Sequence, residues 1–93
     1  MNNSLSKDEI SEALTELNDW KHVENTITKS FTFGTFKEAL AFIIRVGFEA
    51  ESQNHHPSIQ NVYNSVTLSL STHDAGDTVT DKDVELAKAI DSI

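Results

Sequence analysis

Three short polar signatures fix where the helices of this chain begin: Ser6-Lys7-Asp8-Glu9, Thr35-Phe36-Lys37-Glu38 and Thr80-Asp81-Lys82-Asp83. Each sets a hydroxyl residue three positions before an acid, the reciprocal pattern that satisfies orphan N–H groups at a helix start. Behind each, apolar residues recur at the spacing of one helical face. Ile10, Ala13, Leu14 and Leu17 follow the first, and Asn18-Asp19 is the expected end of that helix. The second opens just after Gly34 and predicts the longest helix, running to about Ser52. At about 100° per residue, its Phe36, Leu40, Ile43, Ile44, Gly47 and Phe48 form one stripe, expected to face the core, with Glu38, Arg45, Glu49 and Ser52 opposite. Leu86, Ala87, Ile90 and Ile93 give the third its apolar side.

Between the helices the apolar period falls to two, the period of a strand. From Trp20 to Phe33, Ile27, Phe31 and Phe33 share one face and Thr28, Ser30 and Thr32 the other, with Glu24-Asn25 as the turn. Lys29 is the one charge on the inner face, tolerable near an edge or an interface. Trp20, a single large aromatic, is assigned to the core. A second hairpin joins Ile59–Val62, a turn at Tyr63-Asn64-Ser65, and a strand with Val66, Leu68 and Leu70 against Thr67, Ser69 and Ser71. No linker, repeat or low-complexity segment interrupts this order. It predicts an α+β fold, a four-stranded antiparallel sheet with three helices packed on one face, order α-β-β-α-β-β-α, as one domain over residues 1–93.

A chain of 93 residues buries only about 60–65% of its unfolded surface, so self-association through the remaining sheet face or an edge would help it. Seven Lys and Arg against fifteen Asp and Glu give a formal charge of −8, which repels phosphate backbones and anionic membranes and argues against direct nucleic-acid binding. The absence of cysteine excludes disulfides, CxxC zinc sites and thiol chemistry. The first ten residues lack the apolar core of a signal peptide, and no apolar run approaches the ~18 residues of a membrane span, so a soluble cytoplasmic protein is expected.

Chemistry concentrates between Glu51 and Pro57, where an acid, the adjacent His55 and His56 and the only proline fall within seven residues. Histidine is the side chain whose ordinary pKa lies in the physiological range, which suits acid/base work, although a His-His pair in a loop is often mere polar surface. Pro57 cannot continue a helix and keeps His56 out of the helical region, so the pair sits in a stiff connection. Glu51 falls in the apolar stripe at the helix's last turn. Either it finds a partner on the core side, or the helix has frayed and it bends into water. His73 ends the last strand beside the loop Asp74-Ala75-Gly76-Asp77, a place that suits a site and also suits surface histidines. Asp83 points to the apolar side of the last helix, and its simplest task is the reciprocal cap.

Together the residues read Glu51-x3-His55-His56-Pro57-x5-Tyr63-x9-His73-x9-Asp83. This spacing, the run Asn61 to Asn64 and the run Leu70 to His73 resemble the pterin-4a-carbinolamine dehydratase family, also known as the dimerisation cofactor of a homeodomain transcription factor. The resemblance covers essentially the whole chain. It implies dehydration of a 4a-hydroxytetrahydropterin, the product of aromatic amino-acid hydroxylases, to the quinonoid dihydropterin. It also implies a site with no metal or other cofactor, and a homodimer or homotetramer. Carried over residue by residue, His55, His56 and His73 are catalytic, while Glu51, Asn54, Pro57 and Asp83 belong to the substrate-binding set. Asn54 stands where some members have an acid. The stretch from His73 to Asp83 is slightly lengthened around Asp77-Thr78-Val79, which leaves Asp81 as the alternative to Asp83.

Expelling hydroxide from a carbinolamine needs one proton delivered to the leaving oxygen and one removed from a ring nitrogen, both within reach of imidazoles. On this reading His55 is the main acid, His73 serves the opposite ring face or the nitrogen proton, His56 orients the pterin, and Glu51 bonds the ring or fixes a tautomer. Two other readings compete. Three histidines and a glutamate have the right atoms for zinc, but adjacent residues in an extended connection project differently and share an ion poorly. A non-catalytic protein-binding or dimerisation module would occupy the same fold. The chain has no glycine-rich phosphate loop, dinucleotide fingerprint or nucleophile elbow. His22 lies outside the constellation and is read as surface.

Overall fold

The computed structural model describes residues 4–93. Met1 to Asn3, on which the reading of the N-terminus partly rests, lie outside the described residues. Helix α1 spans Lys7–Leu14, strands β1 Lys21–Val23 and β2 Thr26–Thr32, helix α2 Phe36–Gln53, strands β3 Ser58–Val62 and β4 Ser65–Leu70, and helix α3 Asp81–Asp91. The four strands form one antiparallel sheet in the order β1-β2-β4-β3. Its inner face, with Ile27, Val66, Leu68 and Leu70, is buried in one cluster with Ile10, Ala39, Val46, Leu86, Ala87 and Ile90 of the three helices. The order α-β-β-α-β-β-α and the placing of all three helices on one face are as the periodicity predicts.

Full capping boxes form at Ser6 and Thr80, while at Thr35 the hydroxyl accepts the Glu38 N–H without the backbone reciprocal. Glu24-Asn25 and Tyr63-Asn64 turn the two hairpins, so Ser65, expected in the second turn, already belongs to β4. On the sheet's other face cross-strand hydroxyl pairs join Thr28 to Ser69 and Ser30 to Thr67, each at 2.9 Å.

Other expectations change as well. Helix α1 stops at Leu14 rather than at Asn18-Asp19, because Thr15, Glu16 and Leu17 pull the chain into i to i−3 bonds and the Thr15 hydroxyl caps the Glu12 carbonyl. Leu17 still reaches the core. Helix α2 does not turn its bulky stripe inward. Ala39, Val46 and Ala50 are buried, with Phe42 and Ile43 partly so, whereas Phe36, Leu40, Ile44 and Phe48 are exposed, Phe48 by 73%. The buried arc lies about a third of a turn round the helix from the predicted one. Ala39, Val46 and Ala50 let the helix lie close to the sheet, with Phe42 packed beside them against Phe31 and Phe33, and the ridge Phe36, Leu40, Ile44 and Phe48 is left outside. Ile93, assigned to the apolar side of α3, lies beyond its end and is 40% exposed.

Lys29 sits on the inner face of β2, one residue past the end of that strand's pairing with β1 at Thr28, so it stands beside an unpaired stretch of strand edge. Its ammonium bonds Asp91 Oδ1 at 2.9 Å and lies 4.8 Å from the Phe31 ring centroid. Asp91 also accepts the Trp20 indole N–H and the Asn18 N–H, both at 3.0 Å, so one carboxylate at the end of α3 fastens β2, the core tryptophan and the chain after α1. Burial pushes the Asp91 carboxyl up, but the Lys29 ammonium and the Asn18 and Trp20 N–H groups outweigh it and hold it below the ordinary aspartate range.

A lowered folded-state pKa means that this stabilisation is full above the unfolded value and is lost as pH falls through the folded value. Asp91→Asn is expected to cost about 2 kcal/mol near neutrality. The gap between variant and parent should close in acid well below the ordinary aspartate pKa of about 4. Urea denaturation of both proteins across that pH range checks it, and a gap that does not change with pH would refute the linkage.

Candidate active site

The end of α2 is shaped by Asn54, which takes the left-handed conformation (φ 50°, ψ 42°) that asparagine tolerates better than most residues. The Asn54 N–H bonds the Glu51 carbonyl at 3.1 Å and the His55 N–H bonds the Ala50 carbonyl at 3.0 Å, closing the helix in a Schellman motif. This closure turns His55 inward. Pro57 then starts the chain toward β3. Across from it, the chain beyond β4 makes a short 3₁₀ turn, His73–Ala75, and folds back through a bridge between Thr72 and Thr78.

Between the two segments lies a hollow of ≈ 240 Å³, lined by Asn54, His55, His56, Ser71, Thr72, His73, Asp74 and Lys82. The adjacent His55 and His56 and the distant His73 therefore share one concavity.

Their surroundings differ. His55 is buried, and its Nε2 lies 2.5 Å from Asp83 Oδ1. Asp83 has no exposed surface; its Oδ2 accepts the Thr80 N–H and the Thr72 hydroxyl, both at 2.9 Å. The cap and the histidine partner are thus one carboxylate, with one oxygen for each task. An ionised carboxylate only accepts hydrogen bonds, so His55 Nε2 carries a proton. His55 Nδ1 has no partner among the described residues, and no side-chain nitrogen or oxygen there is both buried and unsatisfied, so Nδ1 is the ring atom open to a ligand.

His56 is largely exposed and its Nε2 bonds Glu51 Oε1 at 2.7 Å. Helix α2 continues past Glu51 to Gln53, so this acid reaches water without fraying, because the buried arc passes it by. His73 is the most exposed of the three, with Nδ1 2.9 Å from Asp77 Oδ1. The hydrogen bond to Asp77, then the Asp77 charge and the Asp74 charge, raise its pKa above the ordinary histidine value against a small opposing effect of burial.

Glu51, Pro57 and Asp83 do not line the hollow; Glu51 and Asp83 touch it only through the histidines they hold. Asp81, the alternative acid, borders a groove between α1 and α3 instead. Tyr63 is exposed at the far hairpin turn, and His22 lies on β1. Among the described residues no three His, Asp or Glu side chains are grouped to hold a metal ion, and no helix is long and apolar enough to cross a membrane. Ser71, Thr72, Asp74 and Lys82 were not picked out from the sequence. Lys82 carried a signal: it is a cation in the first turn of a helix, where the macrodipole disfavours one.

The family model for pterin 4 alpha carbinolamine dehydratase matches residues 3–93. Proteins named pterin-4-alpha-carbinolamine dehydratase from Opitutus terrae and Christiangramia forsetii are 47% and 48% identical to this chain, over 96% and 100% of it and 92% and 95% of their own lengths. The crystal structure of a transcriptional coactivator/pterin dehydratase from Brucella melitensis superposes with a TM-score of 0.91 at 36% identity, covering 97% of each chain. A pterin dehydratase-like protein described as a RuBisCO assembly factor in the alpha-carboxysome shares the fold, with a TM-score of 0.66 at 20% identity over 81% of this chain and 88% of its own. With the histidine hollow inside the matched region, the chain belongs to the pterin-4-alpha-carbinolamine dehydratase family and is a dehydratase.

Proposed function

We propose that this protein dehydrates a 4a-hydroxytetrahydropterin to the quinonoid dihydropterin in tetrahydropterin recycling, using its histidines as general acid and base. The observation that carries the reading is the meeting of His55, His56 and His73 in one hollow. The carbon–oxygen bond at the carbinol carbon breaks as a proton reaches the leaving oxygen, and water departs. The adjacent ring nitrogen loses its proton, so a carbon–nitrogen double bond forms and the sum of protons is unchanged.

His55, tied through Nε2 to Asp83, presents Nδ1 and is the acid toward the carbinol oxygen when that atom is protonated. His73 takes the nitrogen proton from the other side of the hollow and exchanges it with water, to which it is fully open. His56, held by Glu51, and Asn54 orient the heterocycle at the rim. Lys82 adds a positive charge where the departing oxygen gains electron density.

The same reading includes self-association, with a second copy as occupant of the outer arc of α2. Phe36, Leu40, Ile44 and Phe48 stand four residues apart on an 18-residue helix, an i±4 ridge suited to packing against its own symmetry mate. Gly47 beside them leaves a notch, since a Cβ placed there meets nothing within 4 Å. Ile59 and Val62 on the edge strand β3 are exposed as well.

Three outcomes are expected. His55→Gln combined with His73→Ala should lower the dehydration rate about 10²- to 10⁴-fold with the fold intact, as seen by circular dichroism. Glutamine is the choice at 55 because it leaves Asp83 an N–H donor, and full activity in this variant would sink the assignment. Asp77→Asn should let His73 lose its proton at lower pH, because it removes the largest cause of the upward shift. The His73 imidazole resonances followed through a pH titration, with the pH–rate profile, read this directly. Ile44→Glu with Phe48→Glu should turn the assembly into monomers in sedimentation velocity, whereas an unchanged assembly would place the interface elsewhere.

A further inference from the structure

We infer that Thr72 is a positioning residue for the dehydration: its hydroxyl, oriented by Thr80, locks the Asp83 carboxylate, and Asp83 in turn holds His55 with the proton on Nε2. The inference rests on the reading of His55 as an acting imidazole. What carries it is a row of buried hydrogen bonds whose direction is determined. Thr72, Thr80 and Asp83 are 2%, 0% and 0% exposed.

The Thr72 hydroxyl donates to Asp83 Oδ2 at 2.9 Å, and it has only one proton to give. The 2.6 Å contact between the Thr72 and Thr80 hydroxyls must therefore use the Thr80 proton. Thr80 Oγ1 meanwhile accepts the Lys82 N–H at 3.2 Å. The row thus runs from the Lys82 N–H through Thr80 and Thr72 to Asp83, each link polarising the next.

Thr72 is itself pinned by its main chain. Its N–H bonds the Thr78 carbonyl at 2.8 Å, and its carbonyl accepts from Ala75 at 3.2 Å and Asp77 at 3.0 Å. With the Thr72 hydroxyl and the Thr80 N–H both on Oδ2, the carboxylate cannot turn, and Oδ1 is the acceptor left for His55. Without the hydroxyl, one N–H alone would restrain Oδ2. The carboxylate could rotate, and His55 would lose its fixed partner and hence its fixed tautomer, although nothing at the surface of the hollow had changed its charge.

Thr72→Val keeps the branched shape and every main-chain bond and removes only the hydroxyl. It should lower kcat about 10-fold, the scale on which the loss of an orienting bond one step behind a working imidazole falls, while KM stays put. In the same variant the downfield proton resonance of the His55–Asp83 bond should weaken or move upfield, and the His55 ¹⁵N shifts should report exchange between tautomers. Thr72→Ser should restore both.

The two readouts must move together. A folded Thr72→Val protein in which either is unmoved overturns the inference, and so does a serine variant that fails as the valine variant does. Thr72→Ala takes the place of valine if the latter does not fold. If the unaltered protein fails to dehydrate a carbinolamine pterin, the functional reading falls, and the His55 resonance alone then decides whether Thr72 governs the tautomer.

Discussion

The bond between His55 Nε2 and Asp83 Oδ1 joins the end of α2 to the start of α3, and the rest of the site is arranged around it. A carboxylate with no exposed surface persists only where donors surround it. Here the donors come from three segments: His55 from the close of α2, Thr72 from the chain just past β4, and the Thr80 N–H from the cap of α3 itself. Removing one partner of a buried pair of this kind costs about 3 kcal/mol or more, because the remaining charge stays buried. Since Asp83 is also the capping acid, the step that starts α3 fixes the acceptor that His55 needs. One residue thus both starts a helix and orients the buried imidazole.

The fold was readable because its signals are local. Capping boxes mark the starts of α1 and α3, alternation marks the strands, and Glu24-Asn25 marks a turn within two residues. The histidine pair is readable for a different reason: Pro57 cannot continue a helix and keeps His56 out of the helical region, so two imidazoles and an acid stand out in a short connection. What the sequence hid was always a matter of partners. Helix α2 is apolar through more than half its circumference, and periodicity cannot say which arc meets the sheet. The buried arc is the one where Ala39 and Ala50 permit close approach and Phe42 meets Phe31 and Phe33, while Phe36 and Phe48 stay outside. The sequence allows Lys29 an edge or an interface but cannot name its partner, because Asp91 lies 62 residues away. Nothing local marks Thr72, because the carboxylate that uses its hydroxyl is 11 residues further on.

One helix consequently carries three tasks on three arcs. The inner arc of α2 completes the core, the outer arc presents the apolar ridge, and the last turn sets the site. Ala50 links two of them: its side chain is 2% exposed against the core, and its carbonyl accepts the His55 N–H. Packing of the helix on the sheet therefore fixes the height at which His55 enters the hollow. A helix free to roll toward its bulky ridge would carry the histidine away from Asp83.

The unequal settings of His55 and His73 give the proposed proton traffic a direction. His55 is enclosed, and its tie to Asp83 favours one tautomer, the one to which the proposed reaction would return it after each turnover. His73 stands in water with Asp77 and Asp74 raising its affinity for a proton, so it equilibrates with solvent. Two imidazoles with identical surroundings would have no reason to divide the work. In the proposed reaction, burial behind one and solvent around the other would separate the group to be aimed from the group to be replenished, one standing at a helix end against α3 and the other on a surface turn.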